Sequence, residues 1–240
     1  MTLAFHAEKL HDQRVWKKVE RVAGWMAEHN MKATFFVYPF RAEVAGKDIA
    51  DRVRIIASMG HEIGQHTHFY AGSKIDKGEK VDDLTEQNVV PCLKRDFEKL
   101  NDMGYVPKGF TAGAWLIPPA LYETLVDLGF DYDCSTRFPD PHSSARSPHH
   151  GWLRAPEYHL TDRGRLLCLP TTCSLGEWFK WGWRARTEGR FYYQLVYLHD
   201  YDLLSIRNRL MLAFFLKFLQ RQSLQPLASI IRACQLGTIG

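Results

Sequence analysis

The chain has 240 residues, a length that one α/β barrel domain can fill without a second core. Hydrophobic residues make up 45% of the sequence and charged residues 24%, the profile of an ordinary soluble globular protein. The formal net charge is +4, from 31 basic and 27 acidic residues, and it is too small and too evenly spread to favour a nucleic-acid partner.

Strand-like and helix-like segments alternate through the first part of the chain. We predict strands at 2–6, 33–38 and 61–66, and helices at 14–30 and 48–59. Apolar residues recur every three or four positions in the two helical segments, and the second strand is rich in β-branched and aromatic residues. Asn30 and Gly60 are suited to end the two helices.

The rest of the chain repeats this alternation with longer irregular segments. We predict strands at 109–112, 130–134, 166–169 and 194–198, and helices at 83–103, 119–128 and 203–220. Pro91 should kink the first of these helices or mark the start of its main part. The segment 138–159 is rich in Pro, Ser and His, and it is predicted to be a long loop.

This alternation predicts parallel strands with helices packed outside them, either as a doubly wound sheet or as a closed barrel. No internal repeat, low-complexity tract or interdomain linker is visible, so residues 1–240 are interpreted as a single domain. In either architecture, functional residues are expected beyond the carboxyl ends of the strands.

Side chains that can bind a metal or transfer a proton follow several of the predicted strands: His6, Glu8, His66, His68, Asp133 and His199. Residues two apart on an extended strand point the same way, so His6 pairs with Glu8 and His66 pairs with His68. Imidazole nitrogens and a carboxylate oxygen suit zinc or a similar divalent ion, with a position left open for water. A hydrogen-bonded structural role is the alternative for any single histidine.

Two segments carry a family resemblance. KATFFV at 32–37 and GHEIGQHT at 60–67 resemble the second strand and the metal-binding segment of the polysaccharide deacetylases, carbohydrate esterase family four. FDYDCS at 130–135 and LHDYD at 198–202 follow in the family's order, so the resemblance runs from about 3 to 225. It implies a deformed (β/α) barrel of about seven parallel strands. It also implies a divalent metal and removal of acetyl groups from N-acetylated sugars.

The resemblance assigns roles in the first two motifs, with departures. His6 stands where the family has an aspartate base, and Glu8 is the carboxylate near the metal-ligand position. His66 matches the first histidine of the metal-binding motif. The second histidine is expected at position 70, which is Tyr70, so His68 is the candidate substitute ligand.

The later motifs complete the implied site. Thr111 stands where the family has an arginine, whose expected partner is Asp133, and Arg137 is a nearby replacement for that arginine. His199 matches the late histidine that acts as acid. Trp115 sits at a strand end, and together with Tyr70 and Thr111 it is assigned to substrate binding.

Two functions remain open at this point. The first is a metal-dependent hydrolase that removes an acetyl group from an N-acetylated or O-acetylated saccharide or sugar-linked precursor, using zinc, or cobalt or nickel instead. The second is a catalytically inactive carbohydrate-binding homologue that acts as a binding module or complex partner. The four site departures are compatible with both functions. The oligomeric state stays open.

Three further sequence features have a plain and a functional interpretation. The histidines of 142–159 form either a solvated loop or a second metal site, and the arginines of 184–190 form either an exposed face or a site for an acidic sugar. The closing helix either covers the barrel wall or rests weakly on a membrane surface. In each case the plain interpretation is favoured.

The cysteines and the termini indicate the compartment. The five cysteines form no Cys-x-x-Cys pair, which predicts free thiols in a reducing environment. The N-terminus shows no signal-peptide pattern, and the most apolar stretch, 210–219, contains Lys217 and is too short to span a bilayer. We therefore expect a cytoplasmic protein.

Overall fold

A computed structural model describes residues 1–69, 85–139, 151–184, 194–220 and 227. One sheet runs through these residues, and its strands in chain order are β1 (Thr2–Ala7), β2 (Thr34–Val37), β3 (Glu62–Thr67), β4 (Gly109–Ala112), β5 (Tyr132–Asp133), β6 (Glu157–Thr161), β7 (Gly164–Cys168), β8 (Cys173–Ser174) and β9 (Leu195–His199). The helices are α1 (Gln13–Glu28), α2 (Pro39–Val44), α3 (Ala50–Ser58), α4 (Glu86–Asp102), α5 (Leu121–Asp127), α6 (Leu175–Glu177) and α7 (Ile206–Leu219).

The sheet is curled and largely parallel, and it forms a half-barrel. Its strand order is β6-β7-β5-β4-β3-β2-β1-β9-β8, and β6 is antiparallel to β7. The predicted α/β class and deformed barrel are confirmed. The predicted count of about seven strands is wrong, because the sheet has nine strands within the described residues alone.

The two strands that the sequence analysis missed have identifiable causes. β6 begins inside the segment that was predicted as a loop, and its residues are mostly exposed, so it lacks the apolar pattern of a buried strand. β8 has two residues and pairs with β9 through Cys173 and Ser174, which is too short for any periodic signal.

The two faces of the sheet have different roles. Phe5 and Phe35 stack with their centroids 4.5 Å apart on the outer face, in the core that the helices share. Phe36 and Tyr132 belong to a separate cluster on the inner face. Successive side chains along a strand point to opposite faces. A residue's odd or even position in its strand therefore decides whether it points to the helices or to the interior of the half-barrel.

The helices form where the spacing predicts them. In α1, Val15, Val19 and Met26 are buried, and Asp12 caps the first turn by accepting hydrogen bonds from the amides of the residues two and three positions on. Helix α4 runs through Pro91 rather than starting there. Within the described residues, no helix is both long and apolar enough to cross a membrane.

The cysteines agree with the sequence analysis as far as they are described. Cys92, Cys134, Cys168 and Cys173 are free thiols. Cys234 lies outside the described residues.

Candidate metal centre

Three potential metal ligands meet at the carboxyl ends of β1 and β3. Glu8 follows β1 directly, His66 is in β3, and His68 follows β3. The Nε2 atoms of His66 and His68 lie 3.4 and 3.3 Å from Oε1 of Glu8, and one ligand atom from each residue lies within 4.8 Å of the others. The structure therefore brings together the three residues that the sequence analysis selected as ligands.

The His66 ring is oriented by the backbone of the next strand. Its Nδ1 lies 2.8 Å from the carbonyl oxygen of Thr111. Because a carbonyl oxygen can only accept, Nδ1 carries the proton and Nε2 keeps its lone pair, which is the form that binds metals. That Nε2 is buried and has no hydrogen-bond partner among the described residues. Thr111 thus acts here through its backbone.

The carboxylate of Glu8 stays ionised despite its burial. Burial alone would raise the pKa of Glu8, but His66 and His68 beside it, when protonated, hold that pKa far below its usual range. Nη1 of Arg41 lies 3.7 Å from Oε2 of Glu8 and adds a positive charge on the other side. The result is an anionic ligand inside a ring of nitrogens.

His6 and His199 flank this group on the inner face. The His6 ring centroid is 4.8 Å from that of His66 and 5.3 Å from that of His199. Burial, together with the charge that His66 and His199 would carry, lowers the pKa of His6 well below its usual value. His6 is therefore a neutral base at physiological pH.

His199 is biased in the opposite direction. Burial opposes its protonation, but the carboxylates of Asp202 and Glu8 outweigh burial and raise its pKa. Its Nδ1 lies 3.5 Å from Oδ2 of Asp202, and its Nε2 lies 3.6 Å from Oε1 of Glu8. Two imidazoles with opposite protonation preferences thus stand beside one carboxylate, an arrangement suited to acid–base chemistry.

A buried carboxylate fixes the two strand ends next to each other. Asp200, fully buried, accepts hydrogen bonds from the backbone amides of Lys9 at 2.7 Å and Tyr201 at 2.8 Å. The Lys9 bond joins the end of β1 to the end of β9, beside Glu8 and His199.

Aromatic rings form one wall of the site. The Trp115 ring lies 5.6 Å from His6 and 4.8 Å from Tyr197, centroid to centroid. Ala114 and Trp115 both have φ of +54°, a left-handed conformation that is uncommon for residues other than glycine. Such backbone strain concentrates at functional sites, so the position of Trp115 supports its predicted place in the site.

Asp133 is not part of this cluster. Its register partner on β4 is Phe110, which packs on the helix side of the sheet with Leu125 and Phe130. The Asp133 carboxylate accepts a hydrogen bond from the Ser135 hydroxyl, and burial raises its pKa to about 7. The structure thus gives Asp133 a position behind the sheet, away from His6 and His199.

Arg137, the proposed substitute for the missing family arginine, has other partners. Its guanidinium lies 4.9 Å from the centre of the Trp115 ring, and its Nη2 is 3.5 Å from Oε1 of Glu177. Arg137 therefore supports the aromatic wall. It is not paired with Asp133 in the structure.

Several residues that the sequence analysis singled out lie outside the described part of the chain. Tyr70, predicted to bind substrate, is one of these, as are the histidines at 142, 149 and 150 and the arginines at 186 and 190. His159 is described, and it lies on β6 with its ring 4.3 Å from that of Tyr122.

The sequence analysis missed three contributors to the site. Arg41 lies on α2, a helix too short to show periodicity, and Tyr38 precedes it with its ring 4.9 Å from His68. Asp202 pairs with His199. A signal for Asp202 existed, since a carboxylate three residues after a strand-end histidine can return to it in a helical turn.

Comparison with known proteins gives the class of this molecule. The sequence model of the polysaccharide deacetylase family matches residues 12–130, a range that begins after Glu8 and ends before His199. A comparison with the sequences of curated proteins gives no match.

Three solved structures share the fold. A protein from Mycobacterium smegmatis assigned to the polysaccharide deacetylases is 18% identical, with a TM-score of 0.67 over 100% of this chain and 91% of that one. A peptidoglycan N-acetylglucosamine deacetylase is 17% identical, with a TM-score of 0.57 over 95% of this chain and 86% of that one. A CE4 family pseudoenzyme from Bacillus anthracis is 10% identical, with a TM-score of 0.58 over 96% of this chain and 65% of that one.

The chain shares its fold with these structures, and it carries a histidine-rich site at its strand ends. The chain belongs to the polysaccharide deacetylase family as a divergent member.

Proposed function

We propose that this protein is a metal-dependent hydrolase that removes an acetyl group from an N-acetylated or O-acetylated saccharide or sugar-linked precursor. The observation that carries the proposal is the convergence of Glu8, His66 and His68, whose ligand atoms lie within 4.8 Å of one another. Membership of the deacetylase family supplies the reaction type.

The donor set fits a divalent cation. A carboxylate oxygen with two imidazole nitrogens is a common three-ligand set for catalytic zinc, and cobalt or nickel accept the same donors. The Nε2 of His66 is buried and has no hydrogen-bond partner in the described structure. Its lone pair is therefore available to bind a cation. Its Nδ1 contact to a backbone carbonyl is the outer support that metal-binding histidines normally have.

The chemistry that a divalent cation supplies at such a site is Lewis-acid activation of water and of a carbonyl oxygen. Around it, this chain provides the groups that move protons. Neutral His6 is placed to accept a proton from the attacking water, and His199 is placed to donate one to the departing sugar nitrogen or oxygen. The products are acetate and the free amine or hydroxyl.

The aromatic wall fits a saccharide substrate. Trp115 and Tyr197 present ring surfaces beside His6, and aromatic faces stack on the apolar faces of sugar rings. Arg137 fixes Trp115 from behind through its cation–π contact.

The proposal is tested by acetate release from N-acetylated oligosaccharides and acetylated sugar esters, with zinc, cobalt or nickel added. We expect release by the wild-type protein and a loss of at least about a hundredfold in His66→Ala and in Glu8→Gln, since each removes a ligand. Leu160→Ala, on the exposed surface of β6, is the control and should retain full activity. Undiminished activity in His66→Ala would end this version of the mechanism.

A second function has a specific observation in its favour. The family's aspartate base is replaced by His6, and one protein of the same fold is described as a pseudoenzyme. An inactive homologue that binds carbohydrate through the Trp115 wall would release no acetate with any of the three metals. It would still bind an oligosaccharide, and Trp115→Ala would weaken that binding.

A further inference from the structure

Helix α7 exposes a row of large apolar side chains to solvent. Ile206, Leu210, Phe214 and Phe218 are 69%, 67%, 62% and 47% exposed. They are spaced four residues apart, so they form one continuous row along a single face of the helix, about 18 Å long at 1.5 Å per residue. We refer to these four residues as the α7 stripe.

The stripe supplies little of the packing that attaches α7 to the rest of the fold, although Phe214 touches Phe179 and Phe218 touches Trp178 at its edge. A different set of residues does this: Leu212, Phe215, Leu216 and Leu219 are buried in the main core. The closing helix therefore covers the barrel wall, as the plain interpretation of the sequence has it, and carries a second apolar face besides. Exposed apolar rows of this extent mark interaction surfaces.

The surroundings of the stripe are basic and aromatic. Arg207 and Lys217 are exposed on α7 itself. The adjoining turn of π-helix, Trp178–Gly182, packs Phe179 against Phe214 with ring centroids 5.8 Å apart, and it carries the exposed Lys180. Neither 178–184 nor 206–219 contains a single Asp or Glu.

We propose that the α7 stripe docks this protein on an anionic lipid surface. An apolar row inserts into the boundary between headgroups and acyl chains, while lysines and arginines beside it meet the lipid phosphates. Trp183, which follows the π-helical turn and is 44% exposed, is the residue type that favours this boundary. This chemistry combines apolar burial with attraction between opposite charges.

A second copy of the chain fits the same surface less well. Two stripes packed face to face would bring Arg207 and Lys217 of both copies together, and each chain already carries a net charge of +4. With about 200 Å² for each such side chain when fully exposed, the stripe offers on the order of 500 Å². A standard protein–protein interface buries about 800 Å² per partner.

The docking involves none of the proposed catalytic or metal-binding residues. Its test can therefore fail or succeed whatever the outcome for the proposed function. The stripe begins at Ile206, and a 3-10 helix at Asp200–Leu204 separates it from the end of β9 at His199. Its first residue therefore lies near the carboxyl edge of the sheet, where the candidate metal centre is located.

The test is co-sedimentation of the full chain with vesicles of phosphatidylcholine alone or mixed with phosphatidylglycerol. We expect binding to the mixed vesicles, weaker binding to phosphatidylcholine, and a reduction by added salt. Phe214→Glu should lower the partition coefficient about tenfold or more, because it places a charge in the row. Leu160→Glu is the matched control, since Leu160 is 75% exposed on β6 at the opposite edge of the sheet, and it should bind like the wild type.

Circular dichroism and thermal unfolding check that each variant folds, and Leu210→Glu replaces Phe214→Glu if the latter does not. Failure of the wild-type protein to bind the mixed vesicles would overturn the proposal, as would equal binding by Phe214→Glu. Light scattering tests whether a second copy of the chain binds the stripe. A wild-type dimer that Phe214→Glu converts to a monomer, without vesicle binding, would assign the stripe to a second copy instead.

Discussion

Gly113→Ala should disable the metal centre through a steric effect on a single ligand. Gly113 is the first residue after β4, and its backbone is outside the left-handed region, so an alanine there meets no conformational penalty. A Cβ at this position would overlap the His68 ring, lying 2.5 Å from Cγ and 2.6 Å from Cε1. Ordinary van der Waals contact begins near 3.4 Å. The ring must therefore retreat by about 1 Å.

The size of this displacement determines how much metal affinity is lost. Metal–nitrogen distances tolerate deviations of about 0.2 Å, so a shift of roughly 1 Å removes His68 from the ligand set. Disturbing even the outer support of a ligand costs about ten- to a hundredfold in metal affinity. We therefore expect Gly113→Ala to weaken zinc or cobalt binding by at least that factor, which is about 1.4–2.8 kcal/mol.

The assay is isothermal titration calorimetry with zinc, supported by the absorption spectrum of the cobalt-loaded protein. Gly176→Ala is the control, because the nearest atom to its added Cβ is 3.9 Å away, and it should bind metal like the wild type. Thermal unfolding without metal shows whether Gly113→Ala folds. A folded Gly113→Ala protein with unchanged metal affinity would refute the assignment of His68 as a ligand.

Three further outcomes follow from the groups around the ligands. Thr67→Val should destabilise the protein by about 1–3 kcal/mol in urea unfolding, because it removes the hydroxyl that donates to Asp96 at 2.9 Å and accepts from the Gln65 amide at 3.0 Å. Asp96→Asn should remove one contribution to the pH dependence of stability: burial raises the pKa of Asp96 to about 7 despite the neighbouring Arg95, so between about pH 4 and 7 the folded protein keeps a proton that the unfolded chain releases. The stabilisation that Asp96 contributes then falls as pH rises through this window, by up to about 4 kcal/mol, and the difference in stability between wild type and Asp96→Asn follows it. Asp202→Asn should lower the turnover number about tenfold or more and leave KM unchanged, because it removes the carboxylate that supports the proton donor.

Each of these outcomes has a contrary result. An unaltered urea midpoint in Thr67→Val would mean that its two hydrogen bonds are replaced by solvent. A slope of stability against pH that Asp96→Asn leaves intact would show that Asp96 is ionised in the folded protein throughout that range. Equal turnover by Asp202→Asn would show that Asp202 does not support the proton donor.

Much of the site could be predicted from the sequence because strand geometry is regular. Glu8 lies at the end of an apolar strand, and His66 and His68 lie two apart at the end of another. Carboxyl ends of parallel strands meet at one edge, so these side chains had to converge once the strands were identified. The same reasoning placed His199, at the end of another strand, beside Glu8.

The sequence could not show which face of the sheet Asp133 points to, because this depends on its odd or even position along the strand. Asp133 also ends a strand, but β5 has two residues, and a segment that short does not reveal which side chain faces the interior. Tyr132 points inward and Asp133 therefore points to the helices. An error of one position in a strand moves a side chain to the opposite face of the sheet.

Contacts between distant segments were also beyond prediction. Nothing in the local sequence indicates that Arg41 would reach Glu8, or that Arg137 would lie on Trp115 rather than near Asp133. Long flexible side chains choose partners according to tertiary packing, and periodicity contains no information about it.

The metal content of the purified protein tests the central claim most directly. Wild-type protein prepared without chelators and dialysed against trace zinc is measured by inductively coupled plasma mass spectrometry, beside Glu8→Gln, His66→Ala and the Gly176→Ala control. We expect one ion per chain in the wild type and the control, and a large loss in the other two variants. Equal metal content in all four proteins, or none in any of them, would contradict the claim.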